Sequence, residues 1–170
     1  MRLAHFLVIT LGVISLVAVA CTDEEAGAGR TPTPEVRQLE SETLVMGDQS
    51  GIELGDPQVF KIDSPDAWQE LWARHNRVTQ PSPQLPGVAF EREMVIAVVD
   101  RQQPSGGYSL EIRSVRAEGR QIKVSATRRE PGPGCITTSV ITQPFHFVTL
   151  DTVEGEPLLA VSTEQYECER

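Results

Sequence analysis

Few residues in this chain could carry out covalent chemistry. The cysteines are Cys21, Cys135 and Cys168, and the histidines are His5, His75 and His146. Cys135 and His146 are near enough in sequence to suggest a thiol activated by an imidazole, but that needs a free thiol. A serine nucleophile on a sharp strand-to-helix turn needs G-x-S-x-G, and the chain has none. HExxH, a calcium loop and a phosphate loop are also missing. The 24 acidic residues leave paired carboxylates open, because sequence does not place them in space. Without a nucleophile, base and orienting group in register, the chain reads as a non-enzyme with no cofactor and no metal.

The first cysteine has a different meaning. Arg2 precedes Leu7–Val19, an apolar run of 13 residues that ends in Ala18-Val19-Ala20-Cys21. A spanning helix needs about 20 apolar residues, so the run reads as a secretory signal, residues 1–20, rather than an uncleaved anchor. Small residues ahead of a cysteine resemble the bacterial lipobox. That resemblance implies cleavage before Cys21 and attachment of lipid, palmitate included, to its thiol and amino group. Several acyl chains exceed the two hydrophobic signals a stable anchor needs. The expected location is the cell envelope, with the fold outside the cytoplasm and tethered to a membrane.

In an oxidising compartment Cys135 and Cys168 are expected to pair. Cys168 lies two residues from the end of the chain, so a bridge would pin a terminus that otherwise frays. Closing a loop of about 34 residues contributes on the order of 3–4 kcal/mol in the chain-entropy picture. Metal binding by Cys135, Cys168 and His146 is the alternative, but their spacing fits no zinc pattern.

The formal charge is −9, with no Lys/Arg run and few aromatics, which disfavours nucleic-acid binding. The candidate binding features are two stiff turns. Pro104-Ser105-Gly106-Gly107-Tyr108 runs directly into an alternating strand, and Pro131-Gly132-Pro133-Gly134 precedes Cys135. Proline fixes φ and donates no amide, while glycine lets another backbone come close.

The elements that must hold these turns follow in order. Residues 21–36 combine the lipidated cysteine with a linker lacking large hydrophobes, and residues 37–170 form one globular domain. Leu39, Leu44 and Val45 mark a first, polar edge strand, and Val59, Phe60 and Ile62 a second. Ser64-Pro65-Asp66 is a helix start: capping serine, proline at the first helical position, acid in the first turn. Trp68, Leu71, Trp72 and His75 continue it as one apolar stripe. That spacing favours core over a tryptophan platform for a glycan or small ligand.

Residues 76–87, with Pro81, Pro83 and Pro86, read as a rigid connector able to cover a sheet edge. Residues 94–99 (MVIAVV) do not alternate, as expected of a central strand buried on both faces. The strand from Tyr108 turns at Glu118-Gly119 and returns through Ile122, Val124 and Ala126. Residues 136–143 read as extended, 145–150 as a strand, and 158–162 as the closing strand. The fold class is α+β: a mostly antiparallel sheet of about seven strands, curved or sandwich-like, with one amphipathic helix packed on it. In such a meander the loops at 101–107 and 129–135, separated by one hairpin, fall at the same end.

Residues 63–75 (DSPDAWQELWARH), 94–99, 103–112 (QPSGGYSLEI), 131–135 (PGPGC) and 142–148 (TQPFHFV) occur in an order that resembles the PrcB C-terminal domain family. The family takes its name from a lipoprotein subunit of a spirochaete surface protease complex, which it stabilises. The resemblance implies a non-catalytic accessory lipoprotein that binds a partner protein, a protease among the candidates. Pro104–Tyr108 is also similar to a loop of chagasin-type cysteine protease inhibitors, although Gln103 stands where they carry asparagine. The expected function is therefore a protein-binding module for a secreted or surface protease, with a protease inhibitor and a small-ligand or glycan binder as alternatives.

Overall fold

The computed structural model describes residues 35–168. The signal segment 1–20, Cys21 and nearly all of the linker lie outside the described residues. Eight strands and one helix follow in the order β1 (Val36–Leu39), β2 (Ser41–Gly47), β3 (Gln58–Ile62), α1 (Pro65–His75), β4 (Glu93–Val99), β5 (Ser109–Glu118), β6 (Gln121–Pro131), β7 (Phe145–Asp151) and β8 (Glu156–Tyr166). They make two four-stranded sheets, β1-β5-β6-β8 and β2-β7-β4-β3. All pairings are antiparallel except β6 with β8, which run parallel.

The unalternating run in β4 is explained by its neighbours. Met94, Ile96 and Val98 face the first sheet and share a core with Leu110, Val115, Ile122, Val124 and Val148. Val95, Ala97 and Val99 face the other way and pack with Ile62, Trp68, Leu71, Trp72, Phe145 and Phe147. Two cores on opposite faces of one strand leave no position for a polar side chain. The layers are therefore sheet, core, sheet, core, helix.

The helix forms where its cap residues place it. Ser64 Oγ accepts from the Ala67 amide, Pro65 is the first helical residue and Asp66 sits in the first turn. Trp68 and Trp72 are 2 % and 7 % exposed. Their indole N–H groups donate to Pro86 O at 2.9 Å and Pro83 O at 3.1 Å. The tryptophans are core residues, as their spacing indicates, and offer no platform to a glycan or small ligand. The proline-rich connector lies against the helix, where it accepts the indole hydrogen bonds.

Two further elements differ from the sequence reading, the first strand and the closing one. The expected first strand is two, β1 and β2, on different sheets with Glu40 between them, which raises the count to eight. Residues 136–143, read as extended, form no strand of either sheet; their bridges, Gln103 to Thr142 and Gln49 to Gln143, are isolated ones to other loop residues. The closing strand spans 156–166 and pairs parallel to β6. The chain reaches it by passing through β7 on the opposite sheet, a crossover no local pattern announces.

Candidate functional site

The two turns meet. Ser109 pairs with Arg129 at the open end of the β5–β6 ribbon, so the chain before β5 and the chain after β6 leave from the same edge. Loop 100–108 and loop 132–144 are then hydrogen-bonded to each other. Gln103 N donates to Thr142 O at 2.7 Å, Thr142 N to Gln103 O at 3.1 Å, and Gly106 N to Thr138 O at 2.9 Å. Thr142 Oγ1 donates to Ser105 O at 2.8 Å. The end of β8 closes the rim. Tyr166 Oη donates to Gly107 O at 2.9 Å, Gly132 N donates to Tyr166 O at 2.8 Å, and Cys135 is bridged to Cys168. The Arg129 guanidinium lies over the Tyr166 ring, 5.3 Å from its centre.

The glycines serve this internal closure. A Cβ on Gly106 would stand 2.3 Å from Thr138 Oγ1, so only glycine fits beneath that threonine. Gly107 has φ +87° and would meet Tyr166 Oη at 2.8 Å. The close backbone approach expected from a partner is thus taken by this chain's own residues. Of the candidate residues, Pro104, Gly107, Pro133 and Gly134 are exposed. Ser105, Tyr108 and Pro131 are half-buried, and Gly106 and Gly132 are buried. The sequence reading missed the most prominent feature of the rim, which is aliphatic: Ile136 is fully exposed, and Val140 and Ile141 are 54 % and 62 % exposed. A cleft of about 600 Å³ runs beside Pro133, Ile136, Gln165 and Cys168.

Below the rim lies a buried polar hub. Asp100, at the end of β4, takes Arg128 Nε on Oδ2 and Arg128 Nη2 on Oδ1, both at 2.5 Å. It also accepts from Arg101 N and Gln103 Nε2. Arg128 continues the inward-facing positions Ile122, Val124 and Ala126, so strand parity alone places a guanidinium in the interior. The hydrogen bonds to Asp100 hold its pKa above the ordinary arginine value. Gln143 Nε2 donates to Asp100 O at 2.9 Å and to Ile52 O at 2.6 Å, which explains a buried glutamine before Pro144. The hub sets the direction in which loop 100–108 departs.

Neither histidine of the described residues sits in reactive geometry. His146 Nδ1 accepts from the Ile112 amide at 2.8 Å, which leaves the proton on Nε2 to donate to Thr43 Oγ1 at 2.9 Å. Burial pushes its pKa down, partly offset by Glu111. His75 Nδ1 lies 3.1 Å from Ser50 Oγ, but both are buried, and the ring packs against Phe145 and Phe147. Desolvation lowers its pKa to about 4. The conceivable Cys135–His146 couple does not exist: the sulfur is bridged to Cys168 and the imidazole is buried. No cluster of three potential metal ligands occurs among the described residues, and no described helix is long and apolar enough to cross a membrane.

Residues 94–151 match the family model described as PrcB C-terminal. The matched segment runs from β4 through β7 and contains both rim loops and the hub. No curated protein and no solved structure matches the chain.

Proposed function

We propose that this chain, with its PrcB C-terminal segment at 94–151, is a non-catalytic lipoprotein of the bacterial cell envelope whose rim docks a partner protein. The partner is a secreted or surface protease that the domain stabilises or regulates. One observation carries the reading: loops 100–108 and 132–144 and the end of β8 are bonded into a single preorganised surface with Ile136, Val140 and Ile141 outward. Preorganisation lowers the ordering cost of association, and exposed aliphatic side chains supply apolar area to a complex.

The lipid anchor rests on Ala18-Val19-Ala20-Cys21. The fold suits it. Val36 pairs with Glu118, beside the hairpin tip, so the linker enters at the end of the sheet away from the rim. About nine strand residues separate the two ends, roughly 30 Å.

The test is cross-linking capture from native membranes, comparing the natural chain with Ile136→Asp and Ile141→Asp. Recovery of a protease with the natural chain and its loss with the variants is the expected result. Equal recovery with all three would overturn the rim as docking surface. Titration of the purified domain against cysteine and serine proteases separates a stabilising role from an inhibitory one.

A further inference from the structure

Four strands form the edges of the two sheets: β1, β8, β2 and β3. An edge strand presents unpaired backbone groups, and proteins blunt such edges with shortness, bulges or lysine. β1 has four residues. β2 is bulged between Thr43 and Val45. β3 has five residues and carries Lys61. The part of β5 left uncovered by β1 is bulged after Ile112, whose amide is taken by His146. β8 has 11 residues in continuous register with β6, no bulge, and no lysine or arginine.

The backbone direction along β8 follows from its two ends. Glu156 N donates to Arg120 O, and Tyr166 O accepts from Gly132 N. In a strand the N–H and C=O of one residue point the same way and alternate along the chain. The even-numbered residues therefore bond β6, and the backbone groups of Pro157, Leu159, Val161, Thr163 and Gln165 point outward. Pro157 has no amide, which leaves four outward donors. Among the described residues nothing bonds them.

We infer that β8 is a strand-addition edge, taking an extended segment of a partner protein that carries basic residues. Main-chain hydrogen bonds would supply the affinity and alternate side chains the selectivity. The charge argues for a basic segment. Glu154, Glu156, Glu164 and Glu167 lie on or beside the strand, with no basic residue between Thr152 and Cys168. A second copy is disfavoured by the same count: antiparallel pairing about Val161 brings Glu156 of one chain near Glu167 of the other, and like charges across a ladder repel. Leu158, half exposed on the outer face, offers an apolar contact to such a segment. The inference shares with the proposed function that the partner is a protein; it uses the free backbone edge of β8, which adjoins the rim only at Gln165 and Tyr166.

The experiment is amide exchange by NMR on the full chain with its disulfide intact. The probe is a nine-residue peptide alternating valine and threonine, with a lysine at each end; the control has glutamate at both ends. In the free domain the amides of Leu159, Val161, Thr163 and Gln165 should exchange faster than those of Leu158, Ala160, Ser162 and Glu164. The lysine peptide should slow the odd-numbered set about tenfold, and the glutamate peptide should not. Val161→Pro removes one outward donor and no ladder bond, and should abolish the effect. Ala160→Lys blunts the same edge and serves if the proline variant does not fold. Unchanged exchange of the odd-numbered set with the lysine peptide overturns the inference. So does a free domain that sediments as a dimer with that set already protected, which assigns the edge to a second copy. The Ile136→Asp and Ile141→Asp variants should leave this readout unaltered, so failure of the rim reading is distinguishable from failure of this one.

Discussion

Asp100 and Arg128 form a buried, two-pronged ion pair that joins the end of β4 on one sheet to β6 on the other. The carboxylate also holds Gln103 and the Arg101 amide, so the pair determines where the first rim loop begins. A buried ion pair is weak grounds for added stability, because desolvation offsets much of the attraction. Its role here is directional: it fixes the position of the chain between two layers.

Removing one member should cost more than removing both. Asp100→Ala strands a guanidinium in the interior, with an expected loss of about 3–5 kcal/mol. Asp100→Leu with Arg128→Met should cost clearly less, and should loosen loop 100–108. Urea unfolding of the single and double variants checks the first statement, and amide exchange at Gln103 and Gly106 the second.

Stability should fall with acid in a window set by the histidines. His75 is held neutral with a folded pKa of about 4, and His146 is lowered by burial. The unfolded chain takes up these protons near pH 6.5, before the folded chain does. The contribution is therefore complete above about pH 6.5 and shrinks as pH falls towards 4, by at most about 1.4 kcal/mol per pH unit per histidine. Protonation of His146 Nδ1 would also remove the acceptor of the Ile112 amide. Urea midpoints between pH 4 and 7.5 test this. A flat profile in the natural chain, or an equally steep one in His75→Phe, would contradict it.

The Cys135–Cys168 bridge closes a 33-residue separation and ties loop 132–144 to the end of β8. Replacing both cysteines by serine should cost about 3–4 kcal/mol and raise the exchange rate at Gly132, whose amide is bonded to Tyr166 O. Reductant should reproduce the effect in the natural chain. Equal denaturation midpoints with and without reductant would show that the bridge adds nothing to stability.

Gly106→Ala should destabilise by about 1–3 kcal/mol through overpacking against Thr138. Thr138→Gly in the same chain should recover most of that loss, since it removes the atom in the way. At Gly107 the positive φ adds strain that no neighbouring deletion relieves, so Gly107→Ala should not be rescued by Thr137→Gly. Thermal unfolding of the four variants decides between a steric and a backbone origin.

Local signals determined much of this protein. A capping serine, a proline and four apolar residues one helical stripe apart are sufficient to place α1. An unalternating run such as 94–99 needs burial on both faces wherever it lands. The β5–β6 hairpin and the proximity of the two turns follow from chain order and strand parity. These features depend on neighbours within about ten residues, where propensity and periodicity act directly. Tertiary structure decided the rest. It split residues 36–47 between two sheets, set β8 parallel to β6, left Ile136, Val140 and Ile141 exposed, and brought Arg128 to Asp100 and Tyr166 to Gly107. Each of these contacts joins segments 28 or more residues apart or depends on which sheet a strand enters, and no short-range preference distinguishes one such closure from another.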